Sequence, residues 1–376
     1  MKLYHLIRGR KFIFFTIIVS LFFNVFLSAQ KRSDKNENKF TGEISLSSFY
    51  DSNILKYSDK YLDRFVNNED EGRFHINTYD DFVLDYSAKI LYSNKFLKNL
   101  RSLFSLAVEY NQYTSNPVKS WITYDFDWQQ SLSEKTSILL SYSYLPDFYI
   151  SHFRDEDWTK IYGYTPETFR PYSFAKSDYS LWIQQVFSTK IKSRFYFSFS
   201  RYFYNKNFTE YDSDNFMAGG KLFSDITDKI SIDGGYKYIH SSAKGYDEYF
   251  ETKANSDDND ATYFEHIFSV GIEYKLPKIF RMNNSIDLST EIGARHYTTL
   301  HTAESDPLHS GRDDINFRLY FKYDADISKD INAGIFANYI LRNSDTDIEA
   351  NKEYVSNEKD YHQYQIGLVF NYRFNF

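Results

Sequence analysis

The sequence predicts an all-β chain: a transmembrane up-and-down antiparallel β-barrel of about fourteen strands, with short turns at one end and long loops at the other. Three observations carry this. Segments of alternating apolar and polar residues recur fourteen times, each about as long as a tilted strand needs to cross a bilayer. The connections between them alternate between short and mostly long, as they do in up-and-down membrane barrels. The chain also ends without a polar tail, on "YQIGLVFNYRFNF" (Tyr364 to Phe376).

The first thirty residues form a separate unit. Lys2, Arg8, Arg10 and Lys11 precede the apolar run "FIFFTIIVSLFFNVFL", and Ser28 and Ala29 are the small residues a signal peptidase needs. Residues 1–29 are therefore expected to be a cleaved signal peptide. Residues 30–40 are then a short periplasmic segment, and 41–376 the barrel. An uncleaved anchor helix is the rival reading, because the run is long for a signal; either one exports the rest.

The alternating segments lie near 42–50, 80–93, 101–113, 120–131, 136–145, 176–188, 193–204, 213–223, 229–241, 262–275, 284–297, 313–325, 331–342 and 361–376. In "DDFVLDYSAKILY" one row holds Phe82, Leu84, Tyr86, Ala88, Ile90 and Tyr92, and the other holds Asp85, Ser87 and Lys89. In "NFRLYFKYD", Phe317, Leu319, Phe321 and Tyr323 alternate with Arg318, Tyr320, Lys322 and Asp324. In the last segment Tyr364, Ile366, Leu368, Phe370, Tyr372, Phe374 and Phe376 oppose Gln365, Asn371 and Arg373. A soluble sandwich would show the same alternation.

The connections decide between the two. Short turns ("NKFLKN", "LSEKT", "STKIKS", "SDITDK", "LPKIFRMN", "DISKD") follow the even segments, and long polar stretches such as 51–79, 146–175, 242–261, 298–312 and 343–360 follow odd ones. Greek-key crossovers give no reason for that alternation. An even strand count lets the last strand pair with the first, which leaves no edge in hydrocarbon and explains the missing tail.

Composition agrees. Aromatic residues make up 20 % of the chain, with 35 Tyr and 36 Phe, as interfacial girdles require. The net charge of −7 is spread along the chain, so no nucleic-acid footprint appears. With no Cys there is neither a disulfide framework nor a lipidated cysteine.

Taken together, these residues resemble the bacterial, Gram-negative-type, porin-like outer-membrane barrels. The terminal "FNYRFNF" looks like that class's C-terminal assembly signal, which implies a role for Tyr372, Phe374 and Phe376 before the barrel assembly machinery. The segment "SSFYDSNIL" (Ser47–Leu55) is similar to the opening strand of porin-like barrels, including those of surface lipoprotein assembly modifiers. Those modifiers carry a helical-repeat region ahead of the barrel; here only residues 30–40 precede the first strand, and no family residues are carried over. The resemblance implies a location in the outer membrane among its lipids and lipopolysaccharide.

A barrel of fourteen strands is nearer in size to water-filled channels than to eight-stranded barrels filled by their own side chains. The inward row of segments two to four carries an acidic arc, Asp85, Glu109, Asp125 and Asp127. That of segments eleven to fourteen carries a basic arc, Arg295, Arg318, Lys322, Arg342 and Arg373. The two arcs predict either a transverse field across a wet pore or pairing with neighbours such as Lys89 and Asp287. The expected function is a pore for passive diffusion of small polar solutes or ions. The alternatives are a ligand-specific transporter, possible also for hydrophobic substrates, and a structural or adhesion barrel.

Other constellations are weaker. The aromatic 146–175 stretch is expected as a packed loop, either folded into the mouth or capping the rim. The acidic stretches 256–260 and 343–353 raise calcium, but Asn343, Asp345, Asp347 and Glu349 lack the Gly and Glu of a calcium loop, so no metal and no cofactor is expected. His240 and Ser242 stand two apart, as in outer-membrane phospholipases, and offer a minor hydrolase alternative on a face the register makes lipid-exposed. No enzyme activity is expected.

Overall fold

The structure is a computed structural model that describes residues 39–97, 100–280 and 282–375. The expected signal peptide, nearly all of the 30–40 segment and Phe376 lie outside the described residues. Fourteen strands follow in order: β1 (Lys39–Asp51), β2 (Asp81–Leu97), β3 (Leu100–Tyr113), β4 (Trp121–Ser131), β5 (Thr136–Arg154), β6 (Phe169–Val186), β7 (Ile191–Tyr204), β8 (Ser213–Asp225), β9 (Ile230–Ala243), β10 (Tyr263–Ile279), β11 (Met282–Tyr297), β12 (Arg312–Asp326), β13 (Ile331–Thr346) and β14 (Tyr361–Asn375). Each pairs antiparallel with its neighbours in sequence, and β14 pairs with β1, so the sheet is a closed barrel. Three short helices sit in the long loops: α1 (Asp59–Val66), α2 (Glu156–Tyr162) and α3 (Lys352–Lys359).

Register fixes which residues face out. Leu46 opposes Phe370 and Tyr86, and Ser48 opposes Leu368 and Leu84, so the apolar rows of β14, β1 and β2 run side by side. These side chains are open to the surroundings; Leu368 is 59 % exposed and Ile366 58 %. An apolar surface of this extent around a whole molecule belongs in hydrocarbon, which makes the fold a porin-like transmembrane barrel. The apolar belt is bounded on its loop side by outward polar pairs, Arg201–Asp214 (2.9 Å) and His296–Asp313 (2.7 Å). At the short-turn end, outward rings meet in sequence across four strands: Phe40–Tyr92 (4.7 Å between centroids), Tyr92–Phe104 (6.4 Å) and Phe104–Trp128 (6.2 Å). Tyr372 and Phe374 continue the girdle on β14, and a Cβ on Gly42 would run into the Phe374 ring, so glycine makes room for that aromatic at the closing seam.

The strand boundaries differ from the sequence reading chiefly at 146–175. Most of that stretch is strand: β5 runs to Arg154 and β6 begins at Phe169, leaving 155–168 as the connection. Pro146 sits at a register shift between Leu145 and Phe148, and Pro171 pairs opposite His152 beside another shift, so bulges absorb the prolines.

Candidate functional site

The inward rows are polar on every strand, and the long loops fold over one end of the space they enclose. Loop 1, between β1 and β2, reaches furthest. Its Ile54 and Leu55 are buried against the inward side chains Val83, Tyr113 and Tyr149, with Phe49 and Trp121 packed alongside. Burying two such side chains stabilises by roughly 1.5–3 kcal/mol each, which makes loop 1 a docked element of the mouth. Lys119, in the short connection between β3 and β4, is buried beneath it and donates to the Tyr149 carbonyl (2.7 Å); burial pushes its ammonium down to about 7.

The other loops, numbered in chain order as loop 3 (155–168), loop 4 (205–212), loop 5 (244–262) and loop 6 (298–311), are tied to loop 1 and to each other. Gly72, at φ +88°, brings loop 1 against loop 3 so closely that a Cβ would overlap the Pro166 carbonyl. Arg73 lies over the rings of Tyr61 (4.4 Å) and Phe169 (5.0 Å). Helix α1 meets α3 through Lys60–Glu358 (2.5 Å), a Tyr61–Glu358 hydrogen bond and Ser58 Oγ donating to the Asn357 carbonyl (2.6 Å). Loop 3 meets loop 5 through Lys160–Asp257 (2.8 Å) and Asn259–Glu156 (2.8 Å), and meets loop 4 through Asn207–Asp155 (2.8 Å). Loop 5 meets loop 6 where the Asp260 amide donates to Asp306 (3.0 Å). These contacts make one cap out of six loops.

The closing seam carries a clasp just under this cap. Asp51, 1 % exposed at the end of β1, accepts from Gln363 (2.7 and 2.9 Å) and Gln365 (2.9 Å) of β14 and from its own Asn53 amide (3.1 Å). Asn53 in turn donates to the His362 carbonyl (3.1 Å).

Below the cap lies a cavity of about 380 Å³. One part of its wall is six tyrosines, Tyr172, Tyr202, Tyr204, Tyr211, Tyr263 and Tyr297, among which Tyr172, Tyr204 and Tyr211 pack on one another (5.0–5.8 Å) and Tyr263 packs on Tyr297 (5.6 Å). The other part is Arg295, Arg312, Arg342 and Lys359. Arg295 stacks on Tyr263 (4.0 Å) and binds Glu265 (2.8 Å); Arg312 stacks on Tyr297 (4.6 Å) and binds Asp314 through both nitrogens (2.7 Å each). Arg342 reaches the same Asp314 only at 3.8 Å and donates to Asn316 (3.0 Å). Among the described residues Lys359 has no carboxylate in ion-pair reach. His309, held by Asp306 at 2.8 Å, is kept below the usual imidazole range by burial. At the opposite end, a wider cavity of about 710 Å³ opens between Glu43, Lys89, Asn371, Arg373 and the 327–330 turn.

The residues singled out in the sequence fall as follows. Asp85 pairs opposite Ser47 and Asn111, Glu109 opposite Ser87 and Thr123, Asp125 opposite Ala107 and Ser143, and Asp127 opposite Ser105 and Ser141, all on the inward row. Asp127 binds Lys89 (3.5 Å), whereas Asp85, Glu109 and Asp125 have no cation in ion-pair reach among the described residues. The basic group is mostly neutralised in place: Arg295 by Glu265, Lys322 by Asp324 (2.7 Å), Arg342 weakly by Asp314 and Arg373 by Glu43 (2.5 Å). Arg318 donates to Asn338 (2.9 Å) and has no such carboxylate among the described residues. Tyr372 and Phe374 face outward, as do His240 and Ser242, which oppose Phe216 and Asp214 across β8. No hydrogen bond joins His240 to Ser242.

Sequence reasoning missed the clasp at Asp51, the loop 1 insertion, the tyrosine wall and Lys359. It also missed a partly buried acidic nest in the cap. Ligand oxygens of Asp247, Glu251 and Asp258 lie within 4.8 Å of one another, and Glu210, 8 % exposed with one unpartnered carboxyl oxygen, is pushed up to about 9 by burial and then by Asp258 and Asp247.

No family model matches the chain, and no curated protein matches it. Among solved structures it is similar to a bacterial polysaccharide outer membrane secretin, at 9 % identity and a TM-score of 0.45 over 89 % of this chain and 98 % of that one. It is similar also to the outer membrane channel DcaP of Acinetobacter baumannii, at 10 % identity and a TM-score of 0.45 over 91 % and 99 %. An anion-selective porin from Comamonas acidovorans gives 6 % identity and a TM-score of 0.42 over 90 % and 99 %. At such identities the likeness is one of barrel form.

Proposed function

We propose that the chain is an outer-membrane channel that passes small polar solutes by diffusion through a lumen narrowed at its outer mouth by the loop cap, and that it is not an enzyme. The observation that carries this reading is the enclosed space itself: a polar-walled lumen with a 710 Å³ opening at the short-turn end and a 380 Å³ chamber beneath the cap. Fourteen strands enclose more room than their own side chains fill. The outward, lipid-side placement of His240 and Ser242 speaks against the hydrolase alternative, because an imidazole must hydrogen-bond the serine it activates. The chamber favours a second reading, a ligand-selective transporter, since a tyrosine-walled pocket on the route would hold what it passes. A purely structural barrel has no use for either cavity.

Single-channel recording of the refolded protein in a planar bilayer tests the reading. Wild type is expected to conduct, and Ile54→Asp with Leu55→Asp, which ejects loop 1 from its apolar seat, to conduct more. Silence from both proteins overturns the channel.

A further inference from the structure

We propose that the chamber beneath the cap is a binding site for a small ring-bearing carboxylate, with the tyrosine wall stacking the ring and Lys359 with Arg342 holding the carboxylate. The proposal deepens the channel reading by naming a solute class, and rests on it for the route by which that solute arrives.

The charge arithmetic comes first. Four cationic side chains line the cavity and no carboxylate does. Behind the wall, Glu265 answers Arg295 and Asp314 answers Arg312 with both oxygens. The charges left over are Arg342, whose share of Asp314 is a distant 3.8 Å, and Lys359, which has none. A part-buried ammonium with no carboxylate of its own is stabilised by an anion that enters beside it. Arg342 and Lys359 both lie beside Asp314, so a ligand carboxylate would find two donors placed at one end of the cavity.

The ring requirement comes from the rest of the wall. Tyr172, Tyr204 and Tyr211 form a mutually packed trio, with centroids 5.0, 5.3 and 5.8 Å apart. Tyr263 and Tyr297 (5.6 Å) carry the surface on, and both already have a guanidinium over them. Flat aromatic surface beside unsatisfied positive charge suits a planar or ring-shaped acid better than a short linear one. The volume of about 380 Å³ is ample for one such molecule. The chamber draws its walls from β5–β13, loops 4, 5 and 6 and α3, so it exists only when the cap is docked.

Three probes separate the requirements by calorimetry on the full-length protein refolded in detergent: benzoate (ring and charge), benzyl alcohol (ring alone) and acetate (charge alone). Benzoate is expected to bind at least tenfold more tightly than either of the others. Lys359→Gln should weaken benzoate about tenfold and leave benzyl alcohol unchanged, and Lys135→Gln in a short turn should change neither. A second readout needs no variant. Lys359 faces Arg312 and Asp314 of β12, Arg342 of β13, His309 of loop 6, the Phe153 ring of β5 and Glu358 on its own helix; burial, then Arg312, holds its ammonium down to about 8. Benzoate affinity should therefore fall as pH rises through about 8. Equal binding of benzoate and benzyl alcohol, or a flat profile between pH 7 and 9, overturns the site. Benzoate binding by a barrel silent in bilayers would overturn the channel and keep the site; conductance without benzoate binding would do the reverse.

Discussion

The imidazoles of His75 and His152 lie face to face, with ring centroids 3.5 Å apart and planes within 10° of parallel. His75 belongs to loop 1 and His152 to β5, so the pair fastens the inserted loop to the barrel wall at the mouth. His152 is steadied by Tyr149 Oη at 2.7 Å.

Stacked rings at this distance tolerate one charge poorly and two hardly at all. Burial holds His75 below the usual imidazole range. A base whose docked pKa is depressed gives docking stability that is complete above about 6.5 and is lost as pH falls from there towards the docked value. Limited proteolysis within 54–76 is expected to be several-fold faster at pH 5 than at pH 7.5, and the difference should shrink in His75→Asn. Equal rates at both pH values in wild type would remove the histidine pair as a latch.

Glu210 shifts the cap in the opposite sense. Its folded pKa of about 9 stands above the ordinary 4.5, so the folded protein holds a proton that the unfolded chain has released between those values. Cap stability should accordingly decline as pH climbs from about 4.5 to about 9. Glu210→Gln keeps the shape and removes the titration. Hydrogen exchange in loops 4 and 5, corrected for intrinsic rates, should then be slower than wild type at pH 8 and about equal at pH 5. A variant that exchanges faster at pH 8 would mean the carboxylate is needed as a charge.

Register is tested at two residues of the last strand. Leu368 points outward near the middle of β14, and Asn371 points inward opposite Ser45. Arg at Leu368 is expected to cost roughly 2–4 kcal/mol in barrel stability, as for a cation at the bilayer midplane, and Arg at Asn371 under about 1 kcal/mol. Urea unfolding in lipid vesicles reads both. Equal costs would mean the two faces have been exchanged.

Ion selectivity should follow the unpaired charges rather than the total. Arg318 lacks a carboxylate partner and Lys322 has Asp324, so Arg318→Glu should move the reversal potential in a salt gradient towards cations more than Lys322→Glu does. Asp85→Asn with Asp125→Asn should move it towards anions. Both shifts should shrink at about 1 M salt, where the screening length is about 3 Å. If neither moves it while conductance persists, ions pass elsewhere.

Strand number, order and facing were legible because they follow from period two and from loop lengths, both of which are local. Alternation assigns a charge to a row but names few of its partners: Lys89 was named as a neighbour and binds Asp127, whereas Glu265 opposite Arg295 in one hairpin and Asp324 two residues from Lys322 on one face were not singled out. The Glu265–Arg295 pair needed the register of the turn at 276–283, which contains an irregularity. The mouth was the least legible part. "NIL" reads as the end of a strand, but β1 stops at Asp51 and turns Ile54 and Leu55 into the lumen, a choice made by Val83, Tyr113 and Tyr149 on other strands. Pro146 and Pro171 signalled loop because a single sequence does not show a bulge.

Asp51 and loop 1 sit on one side of the seam between the first and last strands, and α3 with Gln363 and Gln365 on the other. The final residues to be added to the cylinder thus carry half of every bond that ties loop 1 across the seam. A chain halted one strand short has a slit down its side and a lid unfastened along that slit, and both defects disappear together when β14 slides home. Inspection of either end, by a protease outside or a chaperone within, would therefore report on the same single event.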